Sequence, residues 1–355
     1  MIDVHKLAIA DIIYHTKFGI VSHQPNPNIN ISNNEIRVQS LNKKIHKVDP
    51  SDCSKLPDDF SSDQFNETWK IFNNKNKKLD PIEETKRILN MNKEKYMYLP
   101  DIQQTSPEIK IALNRVGISD FKMPTKVITK EGDINSTTAV INCYVDLDKE
   151  LKGINMSRIP QSLHKFQNKT LNSELIKDIA ENIRVVSDAE VCEISYSFDY
   201  FLTKLSPVNK EPGLVNYPVT FIGIKSKDNF IFKFVVRITA TSLCPCSKEI
   251  SQFGAHNQKC HIDITCQRKK DAFIWIEDII NIGENASSCE IFSVLKRPDE
   301  KWITEKAYNN PKFVEDVARD CYKYLIQNED IEKFKVKVSS DESIHMHQAV
   351  AIIET

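Results

Sequence analysis

"NYPVTFIGIKSKDNFIFKFVVRITATSLCPCS", residues 216–247, is the stretch on which the fold turns. Two runs rich in β-branched and aromatic residues flank the polar "KSKDNF", the pattern of a β-hairpin. The second run leads into "TSLCPCSKEISQFGAHNQ" (241–258), which holds two cysteines one residue apart and a histidine twelve residues after the first. That stretch is too short for a zinc finger and too polar to be plain core.

Further elements extend the pattern on both sides. "TTAVINCYVDLD" (137–148) and "AEVCEISYSFDYFLTKL" (189–205) read as strands. In the second, Cys192, Ile194, Tyr196 and Phe198 share one face, and Val191, Ser195 and Phe201 share the other. "LNSELIKDIAENIRVV" (171–186) places Leu175, Ile176, Ile179, Ile183 and Val186 at helical spacing. "KCHIDITCQ" (259–267) adds a strand. "NNPKFVEDVARDCYKYLIQ" (309–327) reads as a helix, with Asn310 as N-cap, Pro311 as first helical residue and Phe313, Val314, Val317, Cys321 and Leu325 as the buried stripe. The chain closes on "EKFKVKVSSDESIHMHQAVAIIE" (332–354), a strand broken by a polar patch. This order implies an α+β protein of two similar modules with antiparallel sheets, residues 95–215 and 216–355.

Residues 1–94 are rich in Asn, Lys and Asp and form an extension with no evident chemistry. "NEIRVQSL" (34–41) reads as a strand there; "SDQFNETWKIF" (62–72) and "PIEETKRILNMN" (81–92) read as helices, with Ser62 and Pro81 at their starts.

Composition narrows the function classes. The 355 residues carry 48 Lys+Arg against 49 Asp+Glu, a net charge of −1 that gives no hint of the basic face of a nucleic-acid binder. No run approaches a membrane span, and "LAIADII" (7–13) is too short and interrupted by Asp11 to be a signal peptide. Nine irregularly spaced cysteines argue against a disulfide framework and for a reducing, cytoplasmic setting. Neither GxGxxG nor GxxxxGK[ST] occurs, so any nucleotide is held without a Rossmann turn or a P-loop.

Four patches carry candidate chemistry, each with an ordinary alternative. Cys244 and His256 suit a metal that takes S, N and O ligands; Cys246 is a fourth ligand, a reactive thiol or a buried structural residue. In "DESIHMHQA" (341–349), His345 and His347 would share a strand face beside Glu342, as ligands, as an acid/base set, or as a solvated strand end. In "LKRPDEKWITE" (295–305), Pro298 would break the element and leave Asp299 and Glu300 in a turn, within reach of a metal or simply on the surface. Glu315 either faces a pocket or pairs with Arg319 one helical turn on.

Taken together, "LPDIQ" (99–103), "GINMSRIPQSL" (153–163), "SLCPCSKEIS…GAHNQ", "LKRPDEKWITEKAYNNPKFVEDVARD" and "ESIHMHQA" resemble, in order, the motifs of the type IB GTP cyclohydrolases of the tunnel-fold superfamily, over about residues 98–355. The resemblance implies two tunnel-fold modules per chain in a ring-type oligomer, a homotetramer with active sites between subunits. It implies hydrolysis of GTP to 7,8-dihydroneopterin triphosphate and formate. It implies a divalent metal, zinc in the first place with Mn2+ or Fe2+ as alternatives, held by Cys244, His256 and Glu300. Cys246, Glu342, His345 and His347 would be catalytic, Glu315 would anchor the guanine, and Lys296 and Arg297 would meet the triphosphate, with Arg158, Lys248 and Lys301 as further cations. No nucleic acid or membrane partner is implied. Asn155 stands where the family commonly has His. The rival readings are a deazaguanine nitrile reductase of the same superfamily and an inactive, metal-stabilised homologue.

Overall fold

The computed structural model describes residues 101–355 in full and, before them, the backbone of three short strands. These are β1 (Ile29–Ser32), β2 (Glu35–Gln39) and β3 (Ile45–Val48), paired antiparallel in that order. β2 falls on the expected "NEIRVQSL"; the helices expected at 62–72 and 81–92 lie outside the described residues. The chain divides into two compact units, Met1–Pro100 and Asp101–Thr355.

The second unit is built on one antiparallel sheet. Its strands are β4 (Leu113–Ile128), β5 (Ile134–Leu147), β6 (Val191–Leu205), β7 (Pro212–Ser226), β8 (Phe230–Leu243), β9 (Asn257–Arg268), β10 (Cys289–Glu290), β11 (Ile331–Ser340) and β12 (Ala349–Glu354). The order across the sheet is β12-β11-β9-β8-β7-β6-β5-β4, with β10 on the end of β8. The 216–247 stretch forms the expected hairpin: β7 and β8 pair from Val219–Val236 to Lys225–Phe230.

Six helices accompany the sheet: α1 (Arg158–His164), α2 (Ser173–Val186), α3 (Pro245–Ile250), α4 (Ile276–Ala286), α5 (Arg297–Asn309) and α6 (Val314–Leu325). Asn172 caps α2 by accepting the Leu175 N–H at 2.8 Å, and the Leu175–Ile183 stripe is buried against β6 and β7. The expected face of β6 is the buried one, with Cys192, Ile194 and Tyr196 at 0–1 % exposure. α4 covers β8, and α6 covers β11 and β12, closing the same apolar layer. Alternation of one face buried under helices and one face polar is what an antiparallel sheet with single-sided cover requires.

Three local expectations are corrected. α6 begins at Val314, not Pro311. Asn310 instead ends α5, donating to the carbonyls of Ser287 and Ser288, and Phe313 is a half-exposed N-cap rather than part of the buried stripe. Pro298 opens α5 rather than breaking it, since its missing N–H costs nothing in the first turn; Asp299 and Glu300 are therefore helical. Residues 341–348 form the connection between β11 and β12, so His345 and His347 are not on a strand.

The longest strand, β4, was not legible in the sequence. It is a sheet edge with two irregularities, between Leu113 and Val116 and between Ile118 and Phe121, and it carries Pro124, which an edge tolerates. Gly117 is required there: a Cβ would lie 1.9 Å from the Cys143 carbonyl oxygen.

Candidate active site

Strand register gathers the motifs at one end of the sheet. β8 ends at Leu243, opposite Asn257, and β11 ends at Ser340, opposite Cys260. The chain therefore leaves β8 into Cys244 beside the residue that precedes β9, His256. Their backbones bond directly, Cys244 N–H to the His256 carbonyl at 3.1 Å. Ser247 braces both: its N–H donates to Cys244 Sγ (3.4 Å) and its Oγ accepts the His256 N–H (3.2 Å). Cys244 is the N-cap of α3 and half-buried, whereas Cys246, within α3, is exposed.

His256 meets a polar chain. Its Nδ1 lies 2.8 Å from Gln258 Oε1 and 3.8 Å from Glu342 Oε2, and Gln258 Nε2 donates to Glu342 Oε1 at 3.4 Å. Nδ1 is thus faced by acceptors, so in the neutral ring Nε2 is the atom with a lone pair. The 341–348 connection is latched by Asp341. Its N–H bonds the Lys259 carbonyl, and its carboxylate accepts from Gln348 (2.6 Å) and contacts His261 Nε2 (3.2 Å). Those two side-chain bonds hold the Asp341 carboxyl below its ordinary range. Beyond the latch, His345 and His347 are exposed and their rings stack, centroids 4.9 Å apart at 20°.

α5 and α6 are tied to the same end of β8. Ser242 Oγ donates to the Lys312 carbonyl and the Lys312 N–H donates to the Leu243 carbonyl, each at 3.0 Å, which sets the start of α6 there. Glu315 lies in that first turn, exposed. The alternative reading of Glu315, a pair with Arg319, is not realised; Arg319 bonds Asp316 at 3.1 Å, and among the described residues no side chain bonds the Glu315 carboxylate. α5 packs Ala307, Trp302 and Ile303 on Leu243 and Ala255, the neighbours of Cys244 and His256.

The adjacent acids of α5 have opposite settings. Asp299 is fully buried and accepts four bonds: from the N–H groups of Val208 (2.8 Å), Asn209 (3.0 Å) and Lys296 (3.0 Å), and from Asn209 Nδ2 (2.9 Å). Burial alone would raise its carboxyl; these donors outweigh it and hold it well below the carboxylate range. It is a structural clamp. Glu300 is exposed, and its carboxylate has no hydrogen bond among the described residues.

The cations separate similarly. Lys296 is paired with Glu211, Lys301 with Glu305 at 2.7 Å, and Arg158 donates to the Val186 carbonyl at 2.7 Å. Lys248 donates to the Tyr308 carbonyl and sits 4.4 Å over its ring. Arg297 is exposed, with no such partner among the described residues. The first two motifs also meet: Gly153 N–H bonds the Gln103 carbonyl at 3.1 Å, and Asn155 Nδ2 faces Asp101 Oδ2 at 3.4 Å. Gln258 and Ser247 went unassigned in the sequence, although both lie in the motif-bearing stretch. Their roles depend on partners up to 84 residues away.

Among the described residues, no three His, Cys, Asp or Glu side chains stand ready-made as a metal-binding group. What the end of β8 offers is a two-residue start, Cys244 with His256, beside two helices presenting the unengaged carboxylates of Glu300 and Glu315.

This is an α+β protein with a thiol, imidazole and carboxylate centre at one end of an antiparallel sheet, and comparison with known proteins gives that centre a family. The model described as "Type I GTP cyclohydrolase folE2" matches residues 99–351. GTP cyclohydrolase FolE2 of Nitrosococcus oceani is 42% identical over 259 residues, covering 72% of this chain and 95% of that protein. GTP cyclohydrolase FolE2 of Thermotoga maritima is 41% identical over 256 residues, covering 72% and 97%. The chain belongs to the type I GTP cyclohydrolase folE2 family. Among solved structures, uricase from Arthrobacter globiformis aligns with a TM-score of 0.42 at 8% identity over 70% of this chain and 94% of that one; at that level the likeness says nothing about the chemistry.

Proposed function

We propose that the chain is a metal-dependent GTP cyclohydrolase that converts GTP and water to 7,8-dihydroneopterin triphosphate and formate, a first step toward pterins and folates. The observation that carries this is the convergence at the end of β8 of Cys244, His256, Glu342 and the start of α6 with Glu315, in a chain of this family.

The donor set fits a divalent metal. Cys244 offers a sulfur held by an N–H, His256 offers Nε2, and Glu300 offers an exposed carboxylate with no competing bond among the described residues, the S, N and O ligands that zinc accepts. Mn2+ and Fe2+ are the alternatives. When bound, the metal supplies Lewis acidity that brings the pKa of water toward ~7, so that hydrolysis at C8 runs at neutral pH.

Glu315 accepts two parallel N–H bonds from the guanine edge, for which a carboxylate is matched. Arg297, which has no side-chain partner among the described residues, meets the triphosphate; Lys296 does so by exchanging Glu211 for phosphate. The stacked His345 and His347 hold and deliver the proton that the leaving nitrogen needs. Glu342 orients the His256 side, and the exposed Cys246 thiol lines the pocket. Asn155, bonded to Asp101, acts as a joint between the first two motifs, a role that does not need an ionising ring. Residues 95–355 comprise two tunnel-fold modules, 95–215 and 216–355, assembled as a homotetrameric ring in the cytoplasm; residues 1–94 are accessory.

The purified full-length chain, given GTP and Zn2+ or Mn2+, should release formate and yield a product that fluoresces as a pterin after oxidation. Metal-dependent GTP turnover without formate, or no turnover with either ion, overturns the reading.

A further inference from the structure

Gln258 is an anomaly of β9. It lies on the face that carries Cys260, Ile262 and Ile264 under the helices, and is only 9% exposed. A buried primary amide is costly unless both ends are bonded. Both are: Oε1 lies 2.8 Å from His256 Nδ1, and Nε2 lies 3.4 Å from Glu342 Oε1.

The orientation of the amide follows from its surroundings. Glu342 presents carboxylate oxygens, so the NH2 end must face it. A flipped amide would set oxygen against oxygen and lose a charge-assisted bond. With NH2 toward Glu342, Oε1 faces Nδ1, and only an Nδ1–H can bond it. The second carboxylate oxygen, 3.8 Å from the same Nδ1, favours the same proton. In the neutral imidazole the proton therefore sits on Nδ1 and the lone pair on Nε2.

We propose that Gln258 is a positioning residue of the metal centre: it ties Glu342 to His256 and holds the imidazole in the tautomer that presents Nε2 as ligand. This rests on the metal reading above, but it has a consequence that needs no metal. A metal-ligating histidine is commonly aligned by the acceptor on its other nitrogen, and loss of such an acceptor typically costs about 10–100-fold in metal affinity.

The test uses full-length protein labelled with 15N-histidine, metal-free and then titrated with Zn2+ against a chromophoric chelator. The His256 signal is assigned by its loss in His256→Gln. Metal-free wild type should show His256 as a single Nδ1–H tautomer. Gln258→Leu should show mixed tautomers and bind Zn2+ roughly 10–100-fold more weakly. The double variant Gln258→Glu with Glu342→Gln, which keeps an acceptor for Nδ1–H and an amide-to-carboxylate bond between positions 258 and 342, should restore the single tautomer and most of the affinity; a purely packing role would not distinguish it from the Leu variant in this way. A wild-type His256 protonated on Nε2 overturns the proposal even if no variant folds. A Leu variant with unchanged tautomer and unchanged Zn2+ affinity also overturns it. If wild type binds no Zn2+, yet the tautomer is single and is lost in the Leu variant, the positioning role stands and the metal assignment falls.

Discussion

Cysteine serves two different ends in this molecule. Cys143, Cys192, Cys260, Cys266, Cys289 and Cys321 are buried at 0–1 % exposure in the layers beneath the helices, whereas Cys244 is half-buried and Cys246 exposed at the end of β8. Burial pushes the thiols of Cys260, Cys266, Cys289 and Cys321 up to about 12. Cys143, whose sulfur is 3.8 Å from that of Cys192, is raised by that contact and then by burial. These groups behave as small apolar side chains. Cys244 instead receives an N–H at its sulfur. The chemistry of a cysteine is thus decided by what surrounds it, and the same substitution should read as stability in one region and as function in the other.

The sharpest break of that comparison is Cys244→Ser against Cys246→Ser. Serine differs by one atom, so packing changes little. A hydroxyl is a far poorer ligand than a thiolate for a borderline-soft ion. Cys244→Ser should lose more metal affinity than the roughly 10–100-fold typical of outer-shell changes, and lose turnover with it. Cys246→Ser should keep most of the metal. Metal content after gel filtration decides: equal loss from both would make the site a two-cysteine one and displace Glu300.

Glu315→Gln probes the helix on the other side of the site. Gln is a good helix former and no ion pair among the described residues is broken, because Arg319 bonds Asp316. Against a guanine edge with two donors, Gln offers one acceptor and one clashing donor. The loss of a charge-assisted bond, about 1.5–3 kcal/mol, corresponds to roughly 10–100-fold weaker GTP binding at unchanged melting temperature. Unchanged GTP affinity by calorimetry would reduce Glu315 to a surface residue.

Legibility in the sequence followed the same division. The apolar alternation of β6 and the stripe of α2 were readable because burial imposes a period on a continuous segment. The hairpin of β7 and β8 was readable because a polar break separates two strand-forming runs. β4 was not, since its irregularities, Gly117 and Pro124 disturb the period at a sheet edge. At the site, residue types announced themselves, but their settings did not. Asp299 and Glu300 are neighbours in one motif, yet one is a buried clamp on residues 208–209 and the other is exposed. Gln258 is polar and two residues from His256, and only the fold shows that Glu342 closes the bond at its other end.

The smallest expected effect per residue lies in the alkaline limb of stability. An unfolded thiol titrates near pH 8.5, while the buried thiols of Cys260, Cys266, Cys289 and Cys321 keep their protons up to about 12. Below the unfolded value both states are protonated and the groups contribute no pH dependence. Above it the unfolded chain binds fewer protons than the folded one, so stability falls as pH rises, by up to ~1.4 kcal/mol per pH unit for each such thiol. Urea unfolding followed from about pH 8 to about pH 10.5 reads the slope. Lysines and tyrosines titrate in the same range in every variant, so the informative quantity is the difference between slopes. Cys321→Ala removes one buried thiol and should make the decline shallower by about one cysteine's share. Cys246→Ala removes a thiol outside the core and serves as the control. Identical slopes in all three proteins would mean that the core thiols are not the groups being forced to stay protonated, and the contrast between the two cysteine populations would fail.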